Sequence, residues 1–317
     1  MNAAVVESAE TTPQYKQFDD PTPQPGESLV RVLAAGLHPV VKSRAKGSHY
    51  TSGGQYPLIP GIDGVGLLDD GRRVFFAAAR PRLGTFAELC IARPDAIFPL
   101  ADSIPDAVAA ALGNPAMSSW GALTYRAKFQ PGQSVLILGA TGVAGQLAVQ
   151  IAKRRGARRV IACGRNPAAL EKTKALGADA TISLGLSREE LLAALQSEIN
   201  NGIDVVLDYV WGPPAEVTLE AIARRDNEAV PLRYVQIGTT AGRTIPLDGA
   251  ALRSNAVELV GSGFGSVALP ELLASIYEFF AEAANRPFEI AIRTLPLREI
   301  ASAWDKPGGD ARFVFVP

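Results

Sequence analysis

The chain has 317 residues, 47% of them hydrophobic and 20% charged, with a formal net charge of −1 at pH 7. That length suggests two domains with ample apolar material for two cores, and a charge near zero argues against nucleic acid or an anionic membrane as the main partner. The opening residues, MNAAVVESAE, carry neither a basic region nor an apolar core, so no secretory leader is expected and the cytoplasm is the expected location.

In chain order, the first third reads as strand-rich and irregular. Residues 27–35 (ESLVRVLAA) alternate, and 61–68, 73–77 and 85–92 are further strand candidates separated by Gly and Pro. This pattern predicts a small antiparallel barrel. Helical character begins at 105–112, with Ser103 as N-cap and Gly113 as stop, and a second helix is expected over 117–129. From Gln133 the pattern becomes repeated strand–helix units, with strands at 135–138, 159–163, 180–184, 204–207, 233–237 and 257–260. Ser187-Arg188-Glu189-Glu190 reads as a capping box opening one of the helices. This alternation predicts an α/β fold with a doubly wound parallel sheet, which binds ligands where its strands end. After Gly265 a helix at 270–284, a strand at 289–294, a short helix and a strand at 312–316 break the rhythm, so the tail is expected to return to the first domain. The expected division is 1–112 with 266–317, and 113–265.

The most informative stretch is 134–166, SVLILGATGVAGQLAVQIAKRRGARRVIACGRN. An apolar strand runs into Ala140-Thr141-Gly142-Val143-Ala144-Gly145, which opens an apolar-faced helix, and a second strand follows. In a dinucleotide-binding βαβ unit the small residues let the backbone approach the pyrophosphate, and the helix N-terminus supplies N–H groups to it. An acid ending the second strand would bind a ribose 2′-OH. Gly164-Arg165-Asn166 stands there instead, and a guanidinium suits a 2′-phosphate, so NADPH is the expected cofactor. The two cysteines, Cys90 and Cys163, lie in apolar runs and read as small buried residues; they cannot form a four-thiolate zinc site.

Several segments taken together resemble the medium-chain dehydrogenase/reductase superfamily, in its zinc-independent quinone oxidoreductase branch. They are AAGLHPVVKSRAKG (34–47), PGIDGVG (60–66), LGNPAMSSWGAL (112–123), the glycine turn, DVVLDYVWG (204–212), VQIGTTAG (235–242) and GSGFGS (261–266). The resemblance implies a Rossmann domain joined to a GroES-like, strand-rich barrel domain. Zinc-dependent relatives carry a ligand where His38 stands, Gly-His-Glu where this chain has Gly61-Ile62-Asp63, and a cysteine near Asn114. Only His38 matches that set, and a catalytic zinc needs three protein ligands, so a metal-free site is expected.

The implied reaction is hydride transfer to a quinone or to the β-carbon of an α,β-unsaturated carbonyl. His38, where relatives carry Asn, and Tyr50 are then the candidates to hydrogen-bond the developing oxyanion or deliver a proton. His49 and Asp63 read as a solvated loop residue and a turn residue, and Tyr56 as a loop aromatic. Beside the glycine turn, the likeness assigns Ser118, Gly238, Thr239, Thr240, Phe264, Gly265 and Arg312 to the cofactor. A lysine common in relatives aligns near Ala169, which leaves Arg165 to carry the 2′-phosphate charge with help from Asn166. Homodimers paired through the strand at 257–260 are expected by the same analogy. Two other readings stay open: an NADPH-binding sensor or structural protein, and a zinc-free alcohol dehydrogenase.

Overall fold

The computed structural model describes residues 1–226, 229–306 and 311–317. The chain divides into two compact units, Met1–Pro115 with Ile276–Pro317, and Ala116–Ser275.

In the first unit, β1 (Asn2–Val5) pairs with β2 (Gln14–Gln17) as a two-stranded antiparallel sheet. β3 (Ser28–Gly36) leads into the short helix α1 (Pro39–Ala45), and β4 (Asp63–Leu68), β5 (Arg73–Ala78) and β6 (Leu89–Pro99) follow. β3 pairs with β4 and also with β6, so the meander β3-β4-β5-β6 closes on itself as a barrel. The apolar core of this unit is one cluster of buried residues that includes Val30, Val32, Phe76, Phe86 and Trp304. The expected strand at 85–92 starts later and runs longer, because Thr85 turns inward to donate its hydroxyl to the Asp63 carbonyl at 2.8 Å.

The helix α2 (Asp106–Gly121) corrects the reading of 105–129. Gly113 does not stop it, and Pro115 lies within it. The glycine is there for space: a Cβ would come within 2.1 Å of the Phe75 ring. Ser103 does not cap the helix; its hydroxyl faces the Ala284 carbonyl at 3.4 Å. The chain leaves α2 through one π-helical turn, Ala122–Arg126.

The second unit alternates as its apolar runs dictate: β7 (Ser134–Leu138), α3 (Val143–Arg154), β8 (Arg159–Gly164), α4 (Pro167–Ala175), β9 (Ala180–Ser183), α5 (Arg188–Asn200), β10 (Val205–Asp208), α6 (Gly212–Ala223), β11 (Leu232–Gln236), α7 (Gly249–Arg253) and β12 (Val257–Gly261). The strands form one six-stranded parallel sheet in the order β12-β11-β10-β7-β8-β9. The order reverses between β7 and β10, which is where a doubly wound sheet opens a crevice at its carboxyl edge. The expected capping box is present, Ser187 accepting from Glu190 N and the Glu190 carboxylate from Ser187 N.

After α8 (Leu269–Asn285) come β13 (Ile292–Pro296), α9 (Ile300–Trp304) and β14 (Arg312–Val316). β14 pairs parallel with β13 and antiparallel with β3, so the tail adds to the barrel sheet. Among the described residues no helix is long and apolar enough to cross a membrane.

Candidate functional site

In the parallel-sheet unit the chain turns at the end of β7. Gly139 N and Ala140 N both donate to the Cys163 carbonyl at 2.9 Å, which ties the turn to the end of β8. α3 then starts at Val143, and its N-cap, Gly142, has no side chain to cap it; no acid stands in the first turn. Its unsatisfied N–H groups and partial positive charge are therefore available to a phosphate. A Cβ at Gly145 would lie 2.2 Å from the Gly139 carbonyl oxygen, so only glycine lets α3 approach the strand this closely. Ala140, Thr141, Val143 and Ala144 fill the rest of this turn, and Gln146 donates to the Thr141 carbonyl at 3.0 Å.

Gly164 ends β8 buried, and Arg165 follows, exposed and without a hydrogen bond or ion pair to any described residue. Asn166 is occupied otherwise: its side-chain oxygen accepts from Ala169 N and caps α4. Beyond β11, Gly238 N donates to the Asp208 carbonyl at 3.0 Å, and the Thr240 hydroxyl to the Tyr209 carbonyl at 3.2 Å. Thr239 is exposed beside them. Phe264 and Gly265 form an open loop after β12, with Gly265 at φ +96°. The Tyr209 hydroxyl lies 2.7 Å from Ser119 Oγ and also hydrogen-bonds Ser118. Burial pushes this phenol above its ordinary range.

The support beneath these loops was not read from the sequence. Asp208 is fully buried, and its Oδ1 accepts from Val210 N and Trp211 N, each at 2.8 Å. Its Oδ2 accepts from the Tyr234 hydroxyl at 2.7 Å. These bonds hold Trp211 at φ +55°, a left-handed conformation rare for a side chain of that size. The available signal was a carboxylate ending an apolar run in DVVLDYVWG.

In the barrel unit, His38 precedes α1 and Asp63 opens β4. The His38 ring is completely enclosed, with Nε2 3.2 Å from Asp63 Oδ1. Gly36 makes room for it, since a Cβ there would stand 2.8 Å from Nε2. Arg312 joins them, 9% exposed, with Nη1 donating to the Leu37 carbonyl at 3.0 Å. His38 Nδ1 and Nε2, Asp63 Oδ1 and Arg312 Nε have no well-directed hydrogen-bond partner, so this pocket of charge is incompletely satisfied. Burial pulls the His38 pKa below its usual value, against the upward pull of Asp63. Burial also lowers that of Arg312, to about 10. His38 therefore differs from its expected place as a residue lining an open site, and Asp63 is a buried partner rather than a turn residue.

Tyr50 is 70% exposed and stacks on His49, with ring centroids 4.2 Å apart. His49 is half-buried, not solvated: its Nδ1 lies 2.8 Å from Thr51 Oγ1 and accepts from Thr51 N. The Tyr56 hydroxyl donates to the Ala45 carbonyl at 2.6 Å and packs against the barrel core. Among the described residues no group of three or more His, Cys, Asp or Glu is placed to hold a metal ion.

Residues 143–281 match the family described as zinc-binding dehydrogenase. The chain is 30% identical, over the full length of both proteins, to the "Probable NADPH-dependent quinone reductase tdiC" of Emericella nidulans. It is 32% identical to the quinone oxidoreductase of Mus musculus over 146 residues, 43% of each chain. Among solved structures, the quinone oxidoreductase of Thermus thermophilus, determined with and without NADPH, superimposes with a TM-score of 0.82 at 25% identity, covering 100% of both chains. An alcohol dehydrogenase superfamily protein of Novosphingobium aromaticivorans gives 0.83 at 25% identity, covering 100% of this chain and 99% of that one.

Proposed function

Because the chain belongs to the medium-chain dehydrogenase/reductase superfamily, in its quinone oxidoreductase branch, we propose that it is a zinc-free reductase of quinones or α,β-unsaturated carbonyls. Its cofactor is NADPH. The observation that carries the reading is the phosphate cradle: an uncapped α3, the close approach at Gly145, and an unpaired Arg165 at the end of β8. These residues fit a dinucleotide with a 2′-phosphate.

When bound, the cofactor supplies a hydride from its nicotinamide C4. The turn from Ala140 to Gly145 and the N-terminus of α3 would hold the pyrophosphate, and Arg165 would hold the 2′-phosphate. Gly238, Thr239 and Thr240, with Ser118, Phe264 and Gly265, would hold the nicotinamide half. In a quinone the hydride and one proton complete the two-electron reduction to the hydroquinone. In an enone the hydride reaches the β-carbon and the resulting enolate takes a proton. Tyr50, a largely exposed residue, is the proposed donor to that oxyanion. His38, enclosed where α1 begins and held below its usual pKa by burial, stands beside the Asp63 carboxylate and Arg312. His38 and Asp63 offer two donors where a catalytic zinc requires three, which supports the zinc-free reading. Pairing of two copies along β12, an edge of the parallel sheet, belongs to the same reading, and the mass of the protein in solution tests it.

The test is NADPH oxidation with 1,4-benzoquinone, 9,10-phenanthrenequinone and a series of 2-alkenals, together with metal analysis. Turnover without stoichiometric zinc is the expected result. The enclosure of His38 favours one rival, an NADPH-binding sensor. Tight NADPH binding without turnover of any acceptor would establish the sensor and refute the reductase.

A further inference from the structure

The barrel unit contains a cleft of about 660 Å³. Val41, Leu58, Ile62 and Leu83 give it an apolar wall, and three arginines, Arg44, Arg80 and Arg82, share its lining. The three are not equivalent. Arg80 is neutralised by Glu27, which accepts from both Nε and Nη2. Arg82 donates Nε and Nη2 to the Pro57 carbonyl, at 3.2 and 3.1 Å, and has no carboxylate partner among the described residues. Arg44 is half-buried on α1 and makes no side-chain hydrogen bond or ion pair with any described residue; burial alone lowers its pKa. Asp19, exposed on the lining, pairs with neither.

A partly desolvated guanidinium facing apolar surface is costly unless an anion compensates it. Half-buried Arg44 keeps its whole fork of N–H donors for the oxygens of a carboxylate or phosphate, and exposed Arg82, with Nε and Nη2 on the Pro57 carbonyl, adds its charge and Nη1. In sequence the cleft adjoins the proposed proton donor, since Ser52 on its lining follows Tyr50 by two residues. Val41 and Arg44 lie on α1, which His38 precedes, and Gly61 and Ile62 line the cleft immediately before Asp63.

We propose that this cleft selects acceptors with an apolar body ending in an oxyanion, a carboxylate or phosphate bound by Arg44 and Arg82. The proposal rests on the reductase reading for what happens at the other end of the acceptor, but anion recognition is measurable without it.

The probes are 10-oxo-8-decenoic acid, its methyl ester, and the corresponding enal ending in a phosphate monoester. Binding is measured by calorimetry to the NADP⁺-loaded protein, in which no hydride is available, and turnover is measured separately with NADPH. An anionic probe is expected to bind about tenfold or more tightly than the ester, as for a charge-assisted hydrogen-bonded pair. Arg44→Gln combined with Arg82→Gln is expected to bring that ratio to about one, with the NADP⁺ affinity and urea midpoint of the variant showing that it is folded. The tighter of the acid and the phosphate identifies the oxyanion. Equal binding of ester and both anions by the unaltered protein, or a preference that survives the double substitution, overturns the proposal. Anion-selective binding with no NADPH oxidation would leave the anion site standing and refute the reductase instead.

Discussion

His38 Nε2 and Asp63 Oδ1 lie 3.2 Å apart, with the histidine wholly enclosed and the aspartate 6% exposed. Two effects oppose each other at this pair. The carboxylate favours an imidazolium, whereas burial and the nearby Arg312 favour the neutral ring; burial is the larger influence. The folded pKa is therefore lower than the unfolded value of 6.5. The unfolded chain binds more protons between the two, so stability rises with pH across that window. This contribution is present above pH 6.5 and is lost as pH falls through the folded value. Urea midpoints measured from pH 8 downward should decline below pH 6.5. His38→Gln, which cannot take up a proton, should lose that part of the decline. An unaltered slope in the variant would show that His38 does not titrate on unfolding.

Arg165 stands at the end of β8, where no acid is present. Its fork can pair with a 2′-phosphate, and Asn166 cannot substitute while its side-chain oxygen caps α4. Loss of one charge-assisted interaction of about 1.5–3 kcal/mol corresponds to roughly tenfold or more in affinity. Arg165→Ala should therefore raise the KM for NADPH by about that factor and leave the KM for NADH nearly unchanged. Equal changes for the two cofactors would remove Arg165 from the phosphate site.

The parallel sheet was legible because each buried strand is a short apolar run closed by Gly, Asp or Gln, and buried parallel strands need that composition on both faces. The glycine turn was legible for the same local reason. Gly113 misled because a glycine within a helix ordinarily signals an end; its actual role, clearing the Phe75 ring, depends on a strand far away in sequence. The cluster of His38, Asp63 and Arg312 was opaque for a related reason. Their proximity is made by β3, β4 and β14 lying side by side, a pairing no local pattern announces. Asp208 was similarly hidden, since its partners are backbone N–H groups of a turn whose strained conformation appears only in three dimensions.

Gly145 offers a steric test of the cradle. Adding a Cβ 2.2 Å from the Gly139 oxygen and 2.5 Å from the Ala140 Cα forces backbone against backbone, with no flexible side chain to yield. Overpacking of this kind costs about 1–3 kcal/mol. Gly145→Ala should lower the thermal midpoint and raise the Kd for NADPH together, because the same displacement moves α3 away from the pyrophosphate. Gly142→Ala is the control: a Cβ there meets nothing closer than 3.6 Å, and the fold should tolerate it. Equal destabilisation by the two would contradict the close-approach argument.

Both thiols are enclosed by the folds around them. Burial pushes Cys90 up to about 12 and holds Cys163 higher than its ordinary range. The thiolate is the reactive form, so at pH 8 neither cysteine should react with a disulfide reagent while the protein is folded. In guanidinium both should titrate. A fast-reacting thiol in the native protein would place one of them at an accessible surface.

The carboxylate of Asp208 supports the loops that end β10 and β11. Asp208→Ala strands the N–H groups of Val210 and Trp211 and the Tyr234 hydroxyl in the interior. Losing these bonds should cost about 3 kcal/mol or more. Asp208→Asn keeps one carbonyl oxygen for the two N–H groups, and its amide can donate to the Tyr234 oxygen, so its cost should be near ~1 kcal/mol. The two substitutions also separate stability from cofactor binding. Trp211, released from φ +55°, leads into Gly212, and Gly238 and Thr240 depend on the Asp208 and Tyr209 carbonyls. The alanine variant should therefore weaken NADPH binding even at temperatures where it remains folded, while the asparagine variant binds nearly as the unaltered protein does. Fluorescence titration with NADPH, paired with urea unfolding of each variant, measures both quantities. Identical NADPH affinities in the two would confine Asp208 to the stability of the fold.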